Sequence, residues 1–134
     1  MQLEELKFEE FNAPSGRATP FVTLNANAKI YLSTATSNIY EVNDEKYPAV
    51  KMYYDKEQKV IAIKPLEQME EGALPLKSPK YGGAFINGIS FATKYDLMSE
   101  GRILPVFVGK YLVEKKQVSG LGNVLLFDLK AKHK

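Results

Sequence analysis

Ala49-Val50-Lys51-Met52-Tyr53-Tyr54, Asp55-Lys56-Glu57-Gln58 and Lys59-Val60-Ile61-Ala62-Ile63-Lys64-Pro65 follow one another without a break, and their reading decides the fold. The outer two segments are rich in β-branched and aromatic residues, which suit a pleated, half-buried surface. The polar segment between them is of the kind that closes a hairpin. Pro65 has no N–H to give to a ladder, so the second strand is expected to stop there.

Toward the N-terminus, Lys29-Ile30-Tyr31-Leu32 alternates with period two and follows the strand-like Phe21-Val22-Thr23-Leu24 across a turn at Asn25–Ala28. Ser33 and Thr34 are N-cap residues, and Thr34 to Glu41 allows about two helical turns before Asn43-Asp44. Residues 21–65 thus read as a first β-α-β-β unit. Residues 1–20, with Pro14, Gly16 and Pro20, read as an acidic, flexible arm, and residues 66–80, with Gly72, Pro75 and Pro79, as a connector.

Residues 81–129 repeat the order. A short strand at Gly83–Ile86 precedes a helix at Ser90–Met98 stopped by Gly101. A long strand at Ile103–Val113 is interrupted by Pro105 and Gly109, a hairpin loop covers Glu114–Asn123, and a last strand spans Val124–Leu129. Residues 130–134 form a basic tail. Ile30-Tyr31-Leu32-Ser33 and Ala84-Phe85-Ile86-Asn87 can be superposed, each leading into a helix. A duplication and the general likeness of β-rich segments explain this equally well. The expected fold is mainly β with two short helices, a small hairpin-built barrel with two diverged β-α-β-β halves packed as one domain. One unit of this size cannot bury its own core, so a second copy must come from the same chain or from a homodimer partner, the dimer being favoured.

The 134 residues are 45% hydrophobic and 25% charged, enough for an ordinary core. There is no Cys, and the one His is His133, next to the C-terminus. Thiol catalysis, disulfides, iron–sulfur clusters and Cys/His zinc sites are excluded. A triad would need His133 from a tail expected to fray. The acids converge on no catalytic pattern: Glu4, Glu5, Glu9 and Glu10 lie in the first ten residues and Glu67, Glu70 and Glu71 in the connector, and both groups read as solvated surface. The chain is expected not to be an enzyme, to use no cofactor or metal, and to be cytoplasmic, with no leader or membrane span.

Residues Val22–Pro65 resemble the swapped-hairpin DNA-binding domain of the AbrB/MazE transition-state-regulator family. The likeness is carried by Asn27-Ala28-Lys29-Ile30-Tyr31-Leu32-Ser33, the short helix, and the hairpin ending Ile61-Ala62-Ile63-Lys64-Pro65. It implies a barrel of interleaved hairpins and DNA contacts from loops and helix. Lys29 stands where that family has a basic residue; Ala28 replaces its usual Gly, Ser33 its usual Pro, and Ser37 and Asn38 a helix that often carries Arg.

Alternation independently places Lys29 and Tyr31, and Lys51 and Tyr53, outward on their strands. Cations that follow phosphates and rings that stack on bases make a surface for single-stranded nucleic acid, although exposed β positions also favour Lys and Tyr for packing alone. Lys77, Lys80 and Tyr81 form a further basic and aromatic group. The formal charge of +2 is uneven: four Glu and one Lys give the first ten residues −3, leaving +5 on the rest. The expected partner is DNA, bound either as duplex by an AbrB-like regulator or as single strands without sequence preference. The alternative is a small protein-interaction or assembly module of phage or mobile-element type, consistent with only two Arg in the chain.

Overall fold

The computed structural model describes residues 7–11 and 19–133. In chain order it contains β1 (Phe21–Leu24), β2 (Lys29–Leu32), α1 (Thr34–Tyr40), β3 (Ala49–Asp55), β4 (Val60–Leu66), β5 (Leu74–Pro75), β6 (Ala84–Asn87), α2 (Ile89–Lys94), β7 (Met98–Ser99) and β8 (Arg102–Ile103). A 3-10 turn at Pro105–Phe107 leads to β9 (Gly109–Leu112), β10 (Glu114–Val118), β11 (Gly122–Asp128) and β12 (Lys132–His133). The expected β-rich class with two short helices is what forms. Of the arm expected at residues 1–20, positions 1–6 and 12–18 lie outside the described residues.

The central hairpin pairs from Ala49↔Leu66 to Asp55↔Val60. Asp55 Oδ1 accepts from the backbone N–H of Glu57 and Gln58, both at 3.0 Å, which is why an aspartate starts this turn. Pro65 does not stop β4 but lies within it, opposite Val50. β11 accompanies β4 only from Val60 to Ile63, so Pro65 has a neighbour on one side only, where a sheet tolerates proline.

Two five-stranded antiparallel sheets result, ordered β12-β9-β1-β2-β6 and β10-β11-β4-β3-β5. Val22, Leu24, Ile30, Leu32, Ile86 and Tyr111 of the first meet Val50, Ile61, Ile63, Leu125 and Phe127 of the second in one buried cluster. The Tyr111 and Phe127 rings lie 5.5 Å apart across it. The chain passes between the sheets at Leu112–Glu114 and at Pro75–Lys77, yet the sheets remain open rather than closing into the expected barrel.

β2 pairs with β6 and β4 with β11, so the corresponding strands of the two halves meet as antiparallel neighbours. Both halves of the chain contribute to one buried cluster, so the first unit finds a second unit to pack against within the same chain.

The second half departs from its expected layout. α2 ends at Lys94, and a left-handed residue follows at Asp96. Gly101 instead serves the β7–β8 turn, where Glu100 and Gly101 both have positive φ. Ile103–Val113 is not one strand, because Pro105 opens the 3-10 turn that separates β8 from β9. The loop expected at Glu114–Asn123 is mostly β10, an edge strand whose residues Glu114 to Gln117 are all exposed and which therefore carries no apolar alternation. Part of the tail is a strand, β12, paired to β9 through Lys132↔Tyr111 and His133↔Lys110.

A polar node ties α1 to the first sheet. Ser33 Oγ caps the helix by accepting from Thr36 N (3.1 Å) and also accepts from Phe21 N (3.2 Å). Thr36 Oγ1, fully buried, donates to Phe21 O at 2.7 Å. Ser33 N donates to the same carbonyl at 3.0 Å. A proline here has neither the hydroxyl nor the N–H that these contacts use, and would keep only the carbonyl that accepts from Ser37 N. Ala28, which takes the place of the resembled family's glycine, has φ 65, the left-handed conformation that glycine adopts most easily.

Ser33→Ala is expected to cost about 1–2 kcal/mol, read as a lower urea midpoint at unchanged slope. Tyr111 supplies a pH test. Its buried hydroxyl donates to Phe107 O at 2.5 Å, and burial pushes its pKa up to about 12. The unfolded chain loses this proton near pH 10 and the folded chain only near 12. Its contribution is therefore complete below pH 10 and is lost as pH rises through 12. Tyr111→Phe should remove that alkaline decline from the stability profile and lower stability at neutral pH by about 1 kcal/mol.

Candidate nucleic-acid interface

The pairing registers place one residue from each strand of the first sheet in a row. His133 stands opposite Lys110, Lys110 opposite Thr23, Thr23 opposite Tyr31, and Tyr31 opposite Phe85. Lys77 adds itself beside Phe85 through an isolated bridge. Thr23, Tyr31, Phe85 and Lys110 each alternate with core residues along their strands and so face outward, and His133 shares their side through its pairing with Lys110. At roughly 4.8 Å per strand the row spans about 24 Å.

Flanking side chains thicken it. Lys29 Nζ sits 3.9 Å from the centre of the Phe85 ring and Lys110 Nζ 4.6 Å from that of Phe21. The Phe21 and His133 rings are 4.7 Å apart. Each ammonium lies over a ring face, so cation and ring stand together in one place, and a base stacking on that face takes the ammonium's position. The strands of this sheet carry Lys29, Lys110, Lys132 and His133 and no carboxylate. Those of the other sheet carry Lys51, Lys64, Lys115 and Lys116 but also Asp55, Glu114 and Asp128.

Tyr31 is fixed from the side. Its hydroxyl donates to Gly82 O at 3.2 Å. Gly83 has φ +76, and a Cβ there would come 2.5 Å from Tyr31 Oη and 2.6 Å from Leu32 O. The turn before β6 can thus lie on the tyrosine only because it is made of glycines. The same turn carries Lys80 and Tyr81, both exposed, the tyrosine by 77%.

Of the residues singled out in the sequence, Lys29, Tyr31, Lys77, Lys80 and Tyr81 therefore gather on or beside the first sheet. Lys51 and Tyr53 do not join them. Val50 and Met52 turn into the core, so these two project from the opposite, outer face of the second sheet. There Lys51 pairs with Glu70 at 3.3 Å, and Tyr53 borders an apolar groove of about 600 Å³ shared with Val60, Ala62, Val118, Leu121 and Leu126. The two groups thus stand on opposite outer faces of the molecule.

No family model, curated protein or solved structure matches this chain.

Sequence reasoning did not select Phe21, Phe85, Lys110 or His133 as members of the surface. Phe85 had a visible signal, since it superposes on Tyr31 when the two halves are aligned. His133 had none, because it belongs to a strand of two residues whose partner lies far away in sequence. Among the described residues no group of three His, Asp or Glu side chains is placed to hold a metal ion. Nor is any helix there long and apolar enough to cross a membrane.

Gly83→Ala would strain the backbone and push against Tyr31 and Leu32 O. A loss of about 2 kcal/mol or more is expected, measured by denaturant unfolding, whereas Gly101→Ala, with open space around it, should cost only its left-handed strain.

Proposed function

We propose that this protein binds single-stranded DNA without sequence preference on the outer face of its first sheet and carries out no catalysis. The observation that supports this most directly is the row His133–Lys110–Thr23–Tyr31–Phe85–Lys77, with Lys29 and Phe21 alongside it. Bases stack on the half-buried rings, each stack being worth about 1–3 kcal/mol, while the lysines follow the phosphates. Stacking asks only for an unpaired π-face, so it is indifferent to sequence.

A duplex reader of the AbrB-like kind is less well supported by the same surface. α1 spans Thr34 to Tyr40 and carries no basic residue, so the helix that the resemblance would place against DNA has no cation to offer it. Stacked base pairs, for their part, cannot present their faces to Tyr31 and Phe85. A protein-interaction module is favoured by a different observation, the apolar groove beside Tyr53.

Titrating fluorescent oligonucleotides of several sequences tests the choice. Affinity for single strands should exceed that for duplex and fall with salt at a log–log slope of about −2 to −3, as three or four neutralised phosphates imply. Phe85→Ala should weaken binding about 5- to 100-fold, within the value of one or two stacks. Lys51→Ala and Tyr53→Ala, on the other face, should leave it unchanged. No binding at low salt, or equal losses from both faces, overturns the proposal.

A further inference from the structure

The segment Lys7-Phe8-Glu9-Glu10-Phe11 is described and is exposed throughout. Phe8 and Phe11 are 89% and 85% exposed, the most open of the large apolar side chains among the described residues. Two phenyl rings flanking two carboxylates match in kind what the first sheet's outer face offers. Rings can take the places of bases against Tyr31 and Phe85, and carboxylates those of phosphates beside Lys29 and Lys110.

We propose that Phe8-Glu9-Glu10-Phe11 docks on this face and competes there with nucleic acid. The inference rests on the function proposed above. Charge favours the face: the first ten residues carry −3, and the strands of the first sheet hold three lysines and no carboxylate, net +3, whereas those of the second offset Lys51, Lys64, Lys115 and Lys116 with Asp55, Glu114 and Asp128, net +1. Reach permits it as well. Phe11 precedes Phe21, the first residue of the central strand β1, by ten positions, a span of up to about 33 Å. The row extends about 24 Å in all and only part of that to either side of β1. A separation of ten residues corresponds to an effective concentration of about 1 mM, so an intrinsic Kd of about 0.1–1 mM masks the face about two- to tenfold.

Two measurements on the full chain test this. Phe8→Ala/Phe11→Ala should bind a single-stranded oligonucleotide about two- to tenfold more tightly than the unaltered protein at low salt. A synthetic peptide of residues 1–12, added at up to about 5 mM to the ¹⁵N-labelled double variant, should shift amide resonances around Lys29, Tyr31, Phe85 and Lys110. Those shifts should vanish when Lys29→Ala and Lys110→Ala are added. Unchanged oligonucleotide affinity in the Phe8/Phe11 variant overturns the competition while leaving nucleic-acid binding intact. Peptide shifts that are absent, or confined to the groove beside Tyr53, overturn the docking. Failure of both chains to bind any oligonucleotide removes the proposed function and the competition together.

Discussion

The antiparallel pairing of β2 with β6 is the contact on which the architecture depends. It joins residues more than fifty positions apart and sets Ile30 opposite Ile86 and Tyr31 opposite Phe85. A slip of one residue would turn Ile86 out and Phe85 in, because side chains alternate across a sheet. The buried Ile30, Leu32, Ala84 and Ile86 hold the register against such a slip, so the apolar layer inside dictates which residues stand in a row outside. Surface and core are two readings of one alternation.

Where the sequence carries strong alternation, the fold was legible. The hairpin of β3 and β4, the strand β2 and the Ser33-capped helix all announce themselves through β-branched residues, turn formers and a cap. The parts that were misread lack such signals for physical reasons. β10 is a polar edge strand in which no residue from Glu114 to Gln117 is buried, so it has no period to detect. β12 is two residues long and exists only because β9 offers it a ladder. Pro65 looked like a terminator, yet whether a proline ends a strand depends on whether its other side has a neighbour, which no local pattern reports.

The candidate surface was half legible. Period two correctly turned Lys29, Tyr31, Lys51 and Tyr53 outward, but a direction relative to one's own strand does not say which sheet the strand joins. Partition of β2 and β3 between two sheets separates the pairs and replaces Lys51 and Tyr53 with Phe85, Phe21 and Lys110. Long-range pairing decided that outcome, and it is set by how the halves bury their apolar faces together.

The outermost strands give the molecule a social character as well as a shape. One edge of the first sheet is the two-residue β12, and one edge of the second is β10, lined with Glu114, Lys115 and Lys116. Short and charged edges make poor templates for another chain's backbone. At these two edges a sheet of one copy is therefore poorly placed to continue into the sheet of another, so each sheet ends where its own chain ends it.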